Sequence, residues 1–345
     1  MLYAAIDIHK HAVGYALDAP RRLGDAWLVA YGPVAGVDYP RTLADFNAWF
    51  PDEEACLAYL ARLRWPDGFV CPYCATTKSW QLARRRKLRC AACRREVSIT
   101  AGTVFADSHL PLMTWFAAAW YVTSQKPGAS ALGLQRVLGL GSYRTAWAML
   151  HKLRRAMVRP GRDQLAGELE VDETAIGAPQ PGRPGRGAFA GKAIVAIAVE
   201  ALPRGACGRA RLARIPNCSE PVLTGFVADV AVPGSVVYTD RWQGYSGLAG
   251  AGFVHYSTSL AASGDPAHVA MPRVHRVSAL LKRWLLGTHQ GAARPAHLDY
   301  YLDEFTFRFN RRRSRHRGLV FHRLLEQAMQ IDHVPIRDLV GGQPR

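Results

Sequence analysis

The chain has 345 residues, with 44 Lys and Arg against 27 Asp and Glu and a formal net charge of +17. Hydrophobic residues make up 49% and charged residues 21%, which excludes a disordered chain and allows two or three folded domains. Leu112 to Val122, the longest nearly apolar stretch, is too short for a bilayer, which needs about 18 residues. The N-terminus has no basic stretch and Asp7 interrupts its apolar run, so no signal peptide is expected and a cytoplasmic protein with a polyanionic partner is.

In chain order, residues 1–40 read as an extraneous segment, a short strand from Leu2 to Ile8 followed by breaks at Gly32, Pro33 and Gly36. Residues 41–65 form a helical lead-in. Leu43, Phe46, Trp49 and Phe50 recur at helical spacing, and Asp52-Glu53-Glu54 opens a second helix ending near Trp65. Residues 66–104 are a basic, cysteine-rich module. Residues 105–160 are helical: Leu112, Trp115, Phe116, Ala119 and Trp120 make one apolar stripe. Ser130 to Val137, a turn at 139–142, and Tyr143 to Met157 then outline a helix-turn-helix for DNA binding.

The pattern changes at 165–290. Strands are expected at 168–174, 192–200, 210–215, 235–239 and 253–257. Helices are expected at 219–230, with Ser219 as N-cap, at 242–248, and at 272–286, with Pro272 in its first turn. Three strands followed by helix, strand, helix, strand and helix is the ribonuclease-H-like order. Residues 291–345 add helices near 296–310 and 319–330 and a basic segment. The expected fold is thus multidomain α+β.

Cys71-x2-Cys74 and Cys90-x2-Cys93, fifteen residues apart, supply four thiolates that can close a tetrahedral structural Zn²⁺ site. Cys56, Cys207 and Cys218 have no partner at ligand spacing and read as buried thiols. Asp172 lies central in the first expected sheet strand, and Asp240 ends the fourth. On adjacent parallel strands the two carboxylates would converge, and divalent metal is their natural partner. A third ligand should come from the following helix, where His275 stands, with Lys282 two turns further on nearly the same face. An imidazole suits Mn²⁺ or Zn²⁺ better than Mg²⁺, and Lys282 would meet a DNA phosphate.

The basic residues cluster. Arg84, Arg85, Arg86, Lys87 and Arg89 lie between the cysteine pairs, followed by Arg94 and Arg95. Lys152, Arg154 and Arg155 end a helix, and Arg311, Arg312, Arg313, Arg315 and Arg317 form the last run. Three such runs point to nucleic acid.

From about Tyr39 to Gln330 the chain resembles bacterial insertion-sequence transposases that join a four-cysteine zinc ribbon to a DDE-type integrase core. The resemblance rests on Trp65-Pro66-Asp67-Gly68-Phe69-Val70-Cys71-Pro72-Tyr73-Cys74, on Val171-Asp172-Glu173-Thr174, and on Thr239-Asp240-x-Trp242-x-Gly244-Tyr245. It extends to the run from His275 to His289 and to Tyr300-Tyr301-Leu302-Asp303-Glu304-Phe305-x-Phe307-Arg308-Phe309-Asn310-Arg311. The general pattern has Glu at the third acidic position; branches of the family resemble this chain in carrying Asn or His. Tyr3-Ala4-Ala5-Ile6-Asp7-Ile8-His9-Lys10 resembles the start of a different transposase group, and that segment is read as a fusion or an upstream start, without a catalytic role for Asp7.

The resemblance implies metal-dependent cleavage of element ends and strand transfer. Asp172, Asp240 and His275 would hold Mg²⁺ or Mn²⁺, and the ribbon and helical region would bind terminal inverted repeats. The arginines at 311–317 would grip backbone without reading sequence, and the chain would act as a homo-oligomer on DNA. A non-catalytic zinc-ribbon regulator with a decayed core and a structure-specific nuclease are the alternatives.

Overall fold

Helix formation starts where the sequence offers caps. Thr42 and Asp45 form a reciprocal capping box at the head of α1 (Leu43–Trp49), and Asp52 accepts from the Ala55 amide to begin α2 (Glu53–Arg64). The computed structural model describes residues 39–82, 87–159, 161–177, 191–258, 267–291 and 293–341. The N-terminal segment through residue 38, Arg84, Arg85 and Arg86, and most of the loop 177–191 lie outside the described residues.

A three-stranded antiparallel ribbon follows α2: β1 (Ser79–Gln81), β2 (Lys87–Cys90) and β3 (Glu96–Ser98). The helical region divides into α3 (Leu112–Ser124), α4 (Ala131–Leu138) and α5 (Tyr143–Arg155). Gly139, in the left-handed region at φ 62°, ends α4, and Ser142 caps α5.

The core is mixed. Strands β4 (Glu168–Ile176), β5 (Ala193–Ala201), β6 (Cys207–Ile215), β7 (Val236–Asp240) and β8 (Val254–Thr258) make a sheet of order β6-β5-β4-β7-β8. β5 pairs antiparallel with both β4 and β6; β7 and β8 run parallel to β4. Helix α6 (Glu220–Val230) and a 3-10 turn, Gln243–Leu248, cover one face. The other carries α7 (Ala267–Ala270), α8 (Pro272–His289) and α9 (Leu298–Asn310). The two-residue alternation of β4 and β5 explains the layers: Leu169, Val171, Ala196 and Ala198 pack towards α6, and Val195, Ile197 and Val199 towards α8 and α9. Ser219 precedes α6 as expected, but its side chain makes no capping bond.

The last long helix, α10 (Arg317–Ala328), returns to the start of the described chain; a short α11 (Ile336–Gly341) follows. Phe46, Phe50, Tyr59, Phe116, Trp120 and Phe321 share one aromatic core, with Phe50 and Phe116 centroids 4.7 Å apart. Tyr59 and His322 share a 2.7 Å hydrogen bond. A methyl carbon on Gly318 would fall 1.5 Å from the Pro40 carbonyl oxygen, so Tyr39 and Pro40, which the sequence grouped with the N-terminal segment, pack against α10. The lead-in, the helical region and α10 therefore form one body, where the sequence suggested separate units.

Helix α9 joins that body to the sheet. The Asn310 amide pairs with both main-chain groups of Ala210 on the edge strand β6, at 2.8 and 3.0 Å. On its other side Glu304, fully buried, accepts from Arg154 Nε (2.8 Å) and Arg308 Nε (3.0 Å). Burial would raise the Glu304 carboxyl, but the two guanidiniums outweigh it and hold the carboxyl below the usual range. Arg308 also reaches the Val122 and Gln125 carbonyls at the end of α3. Arg154, which the sequence grouped with a DNA-facing basic run, is thus an interior residue, and Lys152 is buried beside it.

Around Arg154 lie His151, stacked on Trp147 at 3.9 Å, and His289, 4.4 Å from the Tyr301 ring. Burial and then the Arg154 charge push His151 down to about 2 and His289 down to about 4. Both stay neutral in the folded chain, whereas the unfolded chain protonates them below about pH 6.5. The unfolded state therefore binds more protons as pH falls, and stability is lost below pH 6.5 by up to about 1.4 kcal/mol per pH unit for each histidine. The melting temperature should drop between pH 7.5 and 5.5, and His151→Leu should shrink that drop; an unchanged drop in the variant would remove His151 from the account.

Candidate active site and zinc ribbon

The two cysteine pairs sit in matching turns. Cys71 accepts from the Ala75 amide and Cys90 from the Arg94 amide, while Cys71 N donates to Thr76 O and Cys90 N to Arg95 O. Ala75 and Arg94 both adopt left-handed backbone, at φ 57° and 62°. These turns bring the sulfurs together: Cys71 Sγ to Cys93 Sγ is 3.7 Å and Cys74 Sγ to Cys90 Sγ 3.4 Å. Four sulfurs about 2.3 Å from one ion stand about 3.8 Å apart in a tetrahedron, so the set fits zinc. Among the described residues it is the one group of three or more His, Cys, Asp or Glu whose donor atoms all lie within 4.8 Å of one another. The Thr76 hydroxyl and main chain beside Cys74 pull its thiol down to about 6, whereas at Cys93 the Arg95 main chain pulls the same way but burial and the neighbouring sulfurs outweigh it and push the thiol up to about 11. Cys56, wholly buried, is pushed up to about 12, as suits an inert core thiol.

Lys87, which the sequence offered to DNA, pairs with Glu96 on the neighbouring strand at 2.8 Å, and Arg89 shares that carboxylate at 3.3 Å. Arg94 and Arg95 are exposed and lie over the Trp80 and Tyr73 rings.

The acidic residues are placed by the central strand. The ladder between β4 and β7 ends with Glu170 opposite Tyr238. Two residues further on each strand stand Asp172 and Asp240, both on the face opposite Leu169, Val171 and Val237. α8 lies against that face. His275 Nδ1 is 3.8 Å from Asp172 Oδ2, too long for a hydrogen bond and wide enough for both to ligate one cation. Asp240 Oδ1 accepts from the Trp242 amide at 3.1 Å, and the three donors are spread more widely than the four sulfurs. Lys282 lies on the same face. Burial pulls its ammonium below the ordinary range, Asp172 opposes the drop, and Lys192 at the foot of β5 adds to it.

Residues the sequence reading passed over hold this arrangement. Met271, before α8, offers no capping side chain. Glu170 replaces it from the sheet, accepting from the Arg273 and Val274 amides at 2.7 and 2.9 Å and from Arg273 Nη1 at 2.7 Å. Arg273 also binds the Ala206 and Leu202 carbonyls. Glu170 is two residues before Asp172 and Arg273 two before His275, so one ion pair sets the spacing of the other. On the reverse face Tyr245 OH donates to Glu173 at 2.6 Å, linking the residue after Asp172 to the loop after Asp240. Period-two alternation with Asp172 was the signal that could have flagged Glu170.

Arg311 and Arg312 turn inward. Their guanidiniums lie 3.9 Å over the Phe307 and Phe309 rings, and Arg312 donates to the carbonyls of Cys207, Gly208 and Phe309. Burial pushes Arg311 down to about 10. Arg313, Arg315 and Arg317 are exposed.

A four-thiolate ribbon, a helical body and a mixed sheet with paired aspartates define a zinc-ribbon protein with a transposase-type core. Residues 51–96 match the transposase zinc-ribbon domain and residues 164–310 the ISXO2-like transposase domain. Over 280 residues, 75% of this chain and 91% of the relative, the sequence is 26% identical to a Halobacterium salinarum protein described as "Uncharacterized protein in transposable element ISH50". The chain therefore carries both the zinc-ribbon domain and the core domain of insertion-sequence transposases. No helix among the described residues is long and apolar enough to cross a membrane.

Two outcomes check the site's architecture. Cys90→Ser should lower bound zinc, measured by metal analysis, and expose the ribbon to protease while the helical body stays folded. Glu170→Gln should cost about 2 kcal/mol of stability, whereas Asp172→Asn should leave the melting temperature unchanged or raised; equal losses would deny Glu170 its separate structural role.

Proposed function

We propose that this transposase cleaves the ends of its element and joins the freed strands to target DNA, with Asp172, Asp240 and His275 as ligands of divalent cations. What carries the proposal is the register of β4 with β7, which puts the two aspartates abreast, together with the 3.8 Å approach of His275. The sheet order, three antiparallel strands and then two parallel ones, supports a ribonuclease-H-like core. Mg²⁺ or Mn²⁺, when bound, supplies the Lewis acidity that makes water and then a 3′-hydroxyl effective attacking groups. Cleavage exchanges a phosphodiester for a 3′-hydroxyl and a 5′-phosphate; joining exchanges one phosphodiester for another and needs no outside energy source. Lys282 and Lys192 would hold the phosphate backbone beside Asp172.

α4 and α5 support a helix-turn-helix reading of the inverted repeats. On α5 only the start is exposed, at Ser142, Tyr143 and Arg144, while its middle is buried; the start of the second helix is the part that meets base edges in such motifs. Arg94, Arg95, Arg313, Arg315 and Arg317 would add backbone contacts, and joining two ends calls for more than one copy on DNA.

Strand transfer in vitro with Mg²⁺ and with Mn²⁺ tests the proposal. Asp172→Ala and Asp240→Ala should each lose more than about a hundredfold in activity while retaining DNA binding, and His275→Glu should retain some activity with Mg²⁺. Full activity in either aspartate variant would overturn the assignment; binding without any cutting by the wild type would favour a regulator.

A further inference from the structure

The geometry points to a nucleobase-binding groove beside Asp240, in which Trp242 stacks on an unpaired base carrying an exocyclic amino group. This rests on the DNA-cleaving function proposed above. A groove of about 500 Å³ opens between segments 218–220 and 242–246, within the size range of small-molecule sites, about 300–1,000 Å³. Trp242 forms part of its lining and is 38% exposed, an unusual position for a ring of that apolar area.

The ring is not loose. Its Nε1 donates to the Cys218 carbonyl at 2.8 Å. Its main-chain amide donates to Asp240, so the ring and the carboxylate are set by the same short turn. Gly244 completes the anchorage: an added Cβ would stand 2.5 Å from Cys218 O and 2.6 Å from Trp242 Nε1. A residue serving only as a loop staple could have been buried for the same hydrogen bond. Here the edge is fixed and ring surface stays in solvent, two residues from a carboxylate of the proposed cleavage site. Preordered aromatic surface of this kind is what unstacked bases bind, by about 1–3 kcal/mol each.

The groove's charge decides which part of a nucleotide enters. In a chain of net charge +17, the described residues that line this groove include Glu220 and no Lys or Arg. The carboxylate repels phosphate. It accepts from Ser246 Oγ at 2.9 Å and has lone pairs for a further donor. Adenine, cytosine and guanine carry amino groups that suit it; thymine does not. The base would come from the nucleotide flanking the scissile phosphate, extruded from its stack as DNA-modifying enzymes extrude theirs.

The full zinc-loaded chain is tested with duplexes spanning both borders of the DNA segment that carries this gene. 2-Aminopurine or an abasic nucleotide is placed in turn at each position flanking the border. With Ca²⁺ in place of Mg²⁺, one 2-aminopurine position should change its emission on binding. Trp242→Ala should alter that change and Trp242→Phe largely preserve it. With Mg²⁺, Trp242→Ala should cleave intact duplex roughly five- to 150-fold more slowly, and an abasic nucleotide at the same position should erase the difference from wild type. Glu220→Gln should relax discrimination against thymine there. Zinc content and melting temperature of each variant report its folding. No responsive position, or a Trp242→Ala deficit that persists on abasic DNA, overturns the groove assignment. If the wild type cuts in an Asp172-dependent way and Trp242→Ala matches it, the groove alone is refuted. If the wild type cuts nothing, the cleavage proposal fails, and the emission change still decides whether a base enters.

Discussion

A carboxylate on the central strand of a covered sheet must find donors or it cannot be there, and Glu170 finds them at the start of α8. That requirement fixes where the helix begins, how it is rotated and which of its residues look back at β4. The approach of His275 to Asp172 follows from it. Elsewhere the same physics recurs. Pro111, ahead of α3, has no capping side chain, and Glu53 of α2 supplies one to the Leu112 and Met113 amides at 2.9 and 3.2 Å. Glu304 gathers Arg154 and Arg308. In each case a glutamate from one element satisfies groups of another, so helices are tied down by charge as well as by apolar contact.

These ties make the helical body and the sheet one mechanical unit. Arg308 lies on α9, whose Asn310 pairs with β6, while its guanidinium ends α3. Thr288 at the end of α8 donates to the Pro127 carbonyl between α3 and α4. Gly128 leaves no room for a Cβ, which would meet Trp284 Nε1 at 2.8 Å and Glu304 Oε1 at 3.1 Å. The start of α5 and the strands that carry Asp172 and Asp240 are therefore held at a set distance, and movement of one without the other would break a buried, charge-assisted network.

Much of this was legible in the sequence because the signals were local. The cysteine spacing, the strand alternation around Asp172 and Thr239-Asp240, and Pro272 at the head of α8 each depend on neighbouring residues. The fate of the arginines was not legible. Arg84, Arg154 and Arg312 look equivalent in a string of letters, yet Arg154 is buried and Arg312 folds back over Phe309. Their partners, Glu304 and the carbonyls of β6, are distant in sequence or belong to the backbone. Glu170 and Glu173 escaped for a related reason: flanking a recognised aspartate, they read as part of its motif, whereas one turns to α8 and the other to Tyr245.

Having His275 where the general pattern has glutamate changes the electrostatics of the site. A third carboxylate would bring three negative charges onto one face; a neutral imidazole leaves two. Lys282 lies within electrostatic reach of both Asp172 and Lys192, so positive charge already stands beside that face. Fewer ligand charges mean weaker attraction for a cation alone, while the two ammoniums favour a phosphate. In the function proposed above, cation and DNA would then be complementary, because a phosphodiester held by the lysines would return the negative charge that histidine withholds.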